Sequence, residues 1–246
     1  MHPKWTKPVG ILAFVWRLAL TTGTGSIFGW LVARPGYDAA VMAPLFIAMS
    51  FALGLAVFIL TLQALCALAD CKLGQALRAR LTRLLALFVV AVLYITAVQH
   101  LTNLYAEEHA GIEAFILREG GVYTALFWGV QVGLGGLLPL ALIYGRRAPA
   151  SAALSTGVSL LVILGGIAQI YVIVVGGQAY PMELFPGFDT TSSFFDGQIA
   201  GYFPSLPEVA LGLGGVALAI LATGLGAKVL RILPTNLSDK NLAAKG

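Results

Sequence analysis

The chain has 246 residues, 59% of them hydrophobic and 11% charged, against a charged content of roughly 25% in soluble domains, which excludes water as its main solvent. A formal net charge of +4 does not point to nucleic acid, because the lysines and arginines form no stripe with interleaved aromatics and fall between apolar runs. Self-contained soluble enzymes are excluded as well: the sequence holds no Walker loop, dinucleotide-binding glycine pattern, HExxH or GxSxG.

Six apolar runs lie at about residues 9–33, 41–68, 84–105, 121–144, 152–177 and 206–231, each long enough to cross about 30 Å of hydrocarbon as helix. Period-two alternation is absent, so helices rather than barrel strands must satisfy the backbone in lipid. The expectation is an all-α integral membrane protein, one domain over residues 1–246, built as a bundle of about six transmembrane helices. The start, Met1-His2-Pro3-Lys4, lacks the three-part pattern of a signal peptide, and Arg17 interrupts the first run, so that helix is expected to be retained.

Arg17 sits inside the first run with Thr21 and Thr24 on the same helical face. A charge at that depth either snorkels to the headgroups or belongs to an internal ion pair or proton path. Gly25-xxx-Gly29 and, in the fourth run, Gly129-xxx-Gly133 each put two small residues on one face, where another helix can approach closely. Cys66 and Cys71 flank the end of the second run with a spacing that matches no zinc or redox motif, and are expected to be reduced thiols.

His100 is the single histidine within a run, and Thr96, His100, Asn103 and Glu107 follow one another at helical spacing along the third. That stripe reads either as an interhelical histidine with its hydrogen-bond partners or as a group that exchanges protons or contacts quinone near the membrane surface. Gln99, Gln131 and Gln169 are further intramembrane polar residues of the kind that join helices. A haem b held by two histidines is disfavoured, because His2 and His109 fall outside the runs and leave His100 without a facing histidine. No residue set has catalytic or metal-ligand spacing.

Residues 178–205 form an unusually long connection rich in aromatics, prolines and acids, and connections of that length are commonly functional. Its aromatic content favours an ordered cap, with Gln178, Tyr180, Glu183, Asp196 and Tyr202 as candidate cap or docking residues. After the sixth run, residues 232–246 form a polar tail, whose Asn236-Leu237-Ser238 sequon is discounted as a glycan site.

With six spans, both termini share a side, and the charges sort sharply. Twelve basic residues, among them Arg78, Arg80, Arg83, Arg146 and Arg147, lie on the terminal side, against only Arg34 and Arg118 on the other. Nine of the eleven acids lie on that other side, including Glu107, Glu108, Glu113, Glu119, Glu183 and Asp196. Because Lys and Arg set orientation, both termini and the tail are expected to be cytoplasmic.

Three stretches resemble one family. Gly176-Gly177-Gln178-Ala179-Tyr180-Pro181, Leu184-Phe185-Pro186-Gly187, Ser192-Ser193-Phe194-Phe195-Asp196-Gly197 and Tyr202-Phe203-Pro204-Ser205-Leu206-Pro207-Glu208 together look like the last outer loop of the NrfD/PsrC family of polysulfide-reductase-type membrane subunits. The segment from His100 to His109, and Phe127-Trp128-Gly129-Val130-Gln131 running on to Leu138-Pro139, resemble the same group, closest to its DsrP and HybB branch. Members typically carry eight to ten spans, and His2-Pro3-Lys4-Trp5 resembles the start of their second half, so the chain looks like the C-terminal portion of a full-length member.

The resemblance implies a subunit exchanging electrons between menaquinone or ubiquinone and a periplasmic iron–sulfur protein. It implies no covalently bound cofactor, and cytochrome c and other membrane or catalytic subunits as further partners besides membrane lipid. Arg17, His100, Asn103 and Glu107 are then candidates for quinone contact or a proton path. Two other classes stay open: a secondary transporter built around Arg17 and the His100 stripe, and a structural anchor with no quinone site of its own.

Overall fold

The computed structural model describes residues 3–69, 71, 73–145, 151–182 and 197–230. Six helices in it are long and apolar enough to cross a membrane: α1 (Pro3–Gly29), α2 (Met42–Leu68), α3 (Gln75–Tyr105), α5 (Val122–Tyr144), α6 (Ala152–Ala179) and α7 (Leu206–Val229). Between α3 and α5 lies a short helix, α4 (Ala110–Ala114), which runs into a π turn over Phe115–Glu119. No strand occurs among the described residues.

Three helix ends differ from the apolar runs by four residues or more. The first helix starts at Pro3, ahead of its run, and stops at Gly29 rather than near residue 33, the chain turning through Trp30–Tyr37. The third begins at Gln75, ahead of its apolar run, since Gln75-Ala76-Leu77-Arg78-Ala79-Arg80-Leu81 consists of strong helix formers.

Helices α2, α3, α5 and α6 form the bundle, with α2 against α3 and α6, and α5 against α6, while α1 packs on the outside of α2. At the basic end of the bundle Ala52, Ala56 and Ile59 of α2 meet Leu85 and Val89 of α3 and Val158 and Val162 of α6. At the acidic end Ile112, Phe115 and Ile116 close over Tyr123 and Phe127 of α5 and Val172 of α6. By contrast α7 buries only Ala227. Its start is secured by a capping box, in which the Ser205 N–H donates to Glu208 Oε2 at 2.7 Å.

Close helix approach depends on glycine at specific places. A Cβ on Gly25 would lie 2.7 Å from Ala43 Cα, and one on Gly29 would lie 2.9 Å from the Ala39 carbonyl oxygen, so the α1 glycine pair seats α1 on the start of α2. The α5 pair behaves differently. Gly129 has open space beside it and Gly133 meets only its own helix; the close contact of α5 with α6 is instead backbone to backbone, Gly135 on Gly165.

Residues 30–41 clasp the end of α6. Arg34 Nη1 donates to the carbonyls of Gln178 at 2.9 Å and Tyr180 at 3.3 Å, and the Tyr37 hydroxyl donates to the Val174 carbonyl at 2.8 Å. These are orphan carbonyls of a helix C-terminus, which a cation suits. Burial raises the Tyr37 phenol pKa, while its hydrogen bond with Gln178 and the Arg34 charge pull the other way.

Candidate functional site

The polar groups of the acidic end converge on one buried acid. Glu113 of α4 is 1% exposed, and its two carboxylate oxygens are used separately: Oε2 lies 2.6 Å from His100 Nδ1, and Oε1 accepts from Asn103 Nδ2 at 2.9 Å. Two acceptors do not approach to 2.6 Å, so a proton lies between the imidazole and the carboxylate. The His100 ring packs edge-on against Phe127 of α5, centroids 4.8 Å apart. Packed on Phe127 and bordered by the side chains of Thr96, Gln99 and Gln131, this acid–imidazole pair can hold a proton and hand it on.

Local sequence explains the convergence. The spacing of four and three in Thr96, His100 and Asn103 keeps all three on one face of α3, and α3 ends at Tyr105. A 3-10 turn over Glu107–His109 then folds α4 back against the helix it has just left. Within α4 and its π turn, Ile112, Glu113, Phe115 and Ile116 are buried. His109 fixes the fold-back, its Nδ1 donating to the Pro35 carbonyl at 2.8 Å.

Beneath the pair, His100, Thr96, Gln99, Gln131 and Gln169 line a cavity of about 20 Å³. Gln169 Nε2 of α6 donates to Thr96 Oγ1 of α3 at 3.1 Å, an interhelical link of the kind expected of it. Gln131 and Gln169 also line a second cavity of about 30 Å³ that continues toward the basic end between Gly135, Gly165 and apolar residues. Each volume suits a water molecule and is far too small for a ring compound.

The other candidates lie elsewhere. Glu107 is exposed, on the turn beyond α3, and does not join His100 and Asn103; the acid in that place is Glu113. Arg17 is exposed on α1, at a separate pocket with Thr21, Ser50 and Phe51, and among the described residues no ion pair involves it. Gln178 and Tyr180 accept from Arg34 through their carbonyls, and the Tyr180 ring packs on Phe115 at 5.6 Å. Tyr202 is half-exposed, its phenol raised by desolvation and by the neighbouring Glu208. Glu183 and Asp196 lie outside the described residues, as does the tail 232–246. Both cysteines are free thiols, and no three His, Cys, Asp or Glu side chains gather as a metal site among the described residues.

Glu113 was missed because an acid outside the apolar runs reads as solvated. One signal was available. It stands inside Ile112-Glu113-Ala114-Phe115-Ile116-Leu117, a short apolar stretch in which a charge has no reason to sit unless it is paired.

The bundle defines a multi-pass integral membrane protein with a buried polar network between its helices. The chain belongs to the NrfD family: the family described as "Polysulphide reductase, NrfD" matches it over residues 1–182. It is similar to the Hdr-like menaquinol oxidoreductase integral membrane subunit of Archaeoglobus fulgidus, 24% identical over 221 residues, covering 89% of this chain and 55% of that protein. It is also similar to a selenate reductase subunit of Mesobacillus selenatarsenatis, 28% identical over 224 residues, covering 89% of this chain and 50% of that one. The chain thus spans about half the length of the curated relatives it matches. No solved structure matches it.

Proposed function

We propose that this chain is an electron-transfer subunit joining a membrane quinone pool, menaquinone or ubiquinone, to an iron–sulfur partner in a respiratory or sulfur-metabolism complex. The observation that carries the reading is the Glu113–His100–Asn103 network, an acid and an imidazole sharing a proton at the acidic end of the bundle. Oxidising a quinol to a quinone releases two electrons and two protons, and a subunit that exchanges quinol with a partner must give those protons a path. Glu113 and His100 supply an acceptor pair, and Asn103 holds the carboxylate by its other oxygen. The cavity beside His100 admits water and not a quinone ring, so His100 serves as a proton group rather than a ring contact.

Family membership and the menaquinol oxidoreductase relative support the quinone link. The distribution of charge supports a bacterial cytoplasmic-membrane protein with both termini inside, and a periplasmic acidic face on which an iron–sulfur protein, or a cytochrome c beyond it, docks. The DsrP-like branch is the assignment favoured by the loop motifs. The C-terminal extent, including α7, belongs in this reading to the same domain as residues 1–182.

The test is quinol oxidation by the chain co-purified with its partners. Glu113→Gln and His100→Ala are expected to reduce turnover by roughly tenfold or more, about 1.4 kcal/mol in the barrier, with the complex still assembled. Full turnover in both variants would sink the proton role, and recovery of the chain with neither quinone nor a redox partner would sink the electron-transfer reading.

A further inference from the structure

A quinone ring needs a space that the centre of the bundle does not contain. One exists on a neighbouring face of α5. Phe127 and Gln131 of that helix face the inner cavity, while Tyr123, Leu126 and Val130 face a groove of about 830 Å³ between α5 and α6, a size in the range of small-molecule pockets, roughly 300–1,000 Å³. At the acidic end it is closed by residues 199–204, which are tied to α6 by a hydrogen bond from the Ala200 N–H to the Ala179 carbonyl at 2.9 Å.

The groove has two chemical ends. Toward the membrane surface stand three tyrosines, with Tyr123 and Tyr171 stacked at 6.0 Å and 20° and Tyr202 across from them. Deeper, its walls are aliphatic, and Leu164 and Ile167 of α6 are 46% and 60% exposed, open sideways to hydrocarbon. Flat aromatic walls with hydroxyls suit a planar ring bearing oxygens, and the aliphatic trough suits a long tail. The single charged residue on the groove is an acid, Glu119, which repels an anionic phospholipid headgroup and leaves a neutral ring undisturbed. The backbone is also irregular around this space: the π turns at Phe115–Glu119 and Leu126–Leu137 contribute to its lining, and such turns are frequent at functional sites.

We propose that this groove binds a neutral polyprenyl quinone, its ring among Tyr123, Tyr171 and Tyr202 and its tail along Leu164 and Ile167. The proposal rests on the quinone-linked reading above and gives that reading a location: Tyr123 on the groove and Phe127, against which His100 packs, lie about one turn apart on α5 and share one core cluster.

The test is photolabelling of the full chain in nanodiscs of phosphatidylcholine with an azidoquinone carrying a prenyl tail, mapped by peptide mass spectrometry. Label is expected on residues 119–130, 164–171 or 199–204, displaced by excess menaquinone and not by excess phosphatidylglycerol. Ile167→Trp and Leu164→Trp fill the trough at positions where bulk meets only lipid, so they fold, and are expected to cut labelling roughly tenfold. Tyr202→Phe is expected to cut it less. Label mapping around His100 would overturn the groove and leave the electron-transfer reading standing. Displacement by phosphatidylglycerol would make it a lipid groove and overturn the proposal. No label anywhere on the chain would overturn both.

Discussion

The two ends of the same four-helix bundle are built on different principles. At the basic end, aliphatic residues of α2, α3 and α6 interlock in regular helix, and Ser155 and Thr156 are paired with Gln63. At the acidic end the helices loosen into π turns, a short helix folds back, and a carboxylate, an imidazole and amides are buried together. In lipid, where association of helices draws on close packing and scattered hydrogen bonds, the first arrangement is sufficient for stability. The second adds polar groups whose burial costs free energy unless every one of them is paired, and that cost points to use.

Substitutions along the bundle sharpen the contrast. Glu113→Ala should be the most damaging, because it removes the buried partner that both His100 and Asn103 share; a loss of about 3–5 kcal/mol is expected, read as a drop in melting temperature in detergent, with Glu113→Gln milder because an amide can still pair. Leu85→Ala at the basic end should cost about 2–5 kcal/mol through the cavity it leaves, yet leave quinol turnover per folded molecule unchanged. Equal loss of turnover in both variants would erase the distinction between the two ends. Gly165→Ala drives a methyl into Gly135 and should cost about 1–3 kcal/mol, whereas Gly129→Ala, with open space beside it, should be neutral or gain up to about 1 kcal/mol of helix propensity; a melt in which the two glycines behave alike would contradict the helix contact. Gln169→Leu should be smallest, about 0.6 kcal/mol for one interhelical hydrogen bond in a membrane, measurable by a double-mutant cycle with Thr96→Val.

Much of the fold was legible because lipid leaves the chain few options: six apolar runs become six helices, and the largest slip of an end falls where good helix formers extend a run, at Gln75. The α3 face was legible too, since Thr96, His100 and Asn103 repeat at helical spacing. Glu107 extends that spacing on paper, but α3 ends before reaching it, and the partner of His100 comes from α4 instead. A fold-back leaves no periodic trace. The same limit applies to Gly135 and Gly165, which meet across two helices and share no motif, while the recognisable Gly129-xxx-Gly133 faces open space or its own helix. Spacing rules report what one helix can present, and not what another brings to it.

The π stretch in α5 has a consequence for heredity. A π turn holds one more residue than the α turn it replaces, so it is in effect an insertion wound into the helix and kept there. Removing one residue between Leu126 and Leu137 would let the helix relax to ordinary pitch, but it would also turn Tyr123 and Leu126 by about 100° relative to Leu138–Tyr144, swinging the tyrosine off the groove. On the proposed quinone reading of the groove, lineages that bind nothing there are expected to be free to shed that residue.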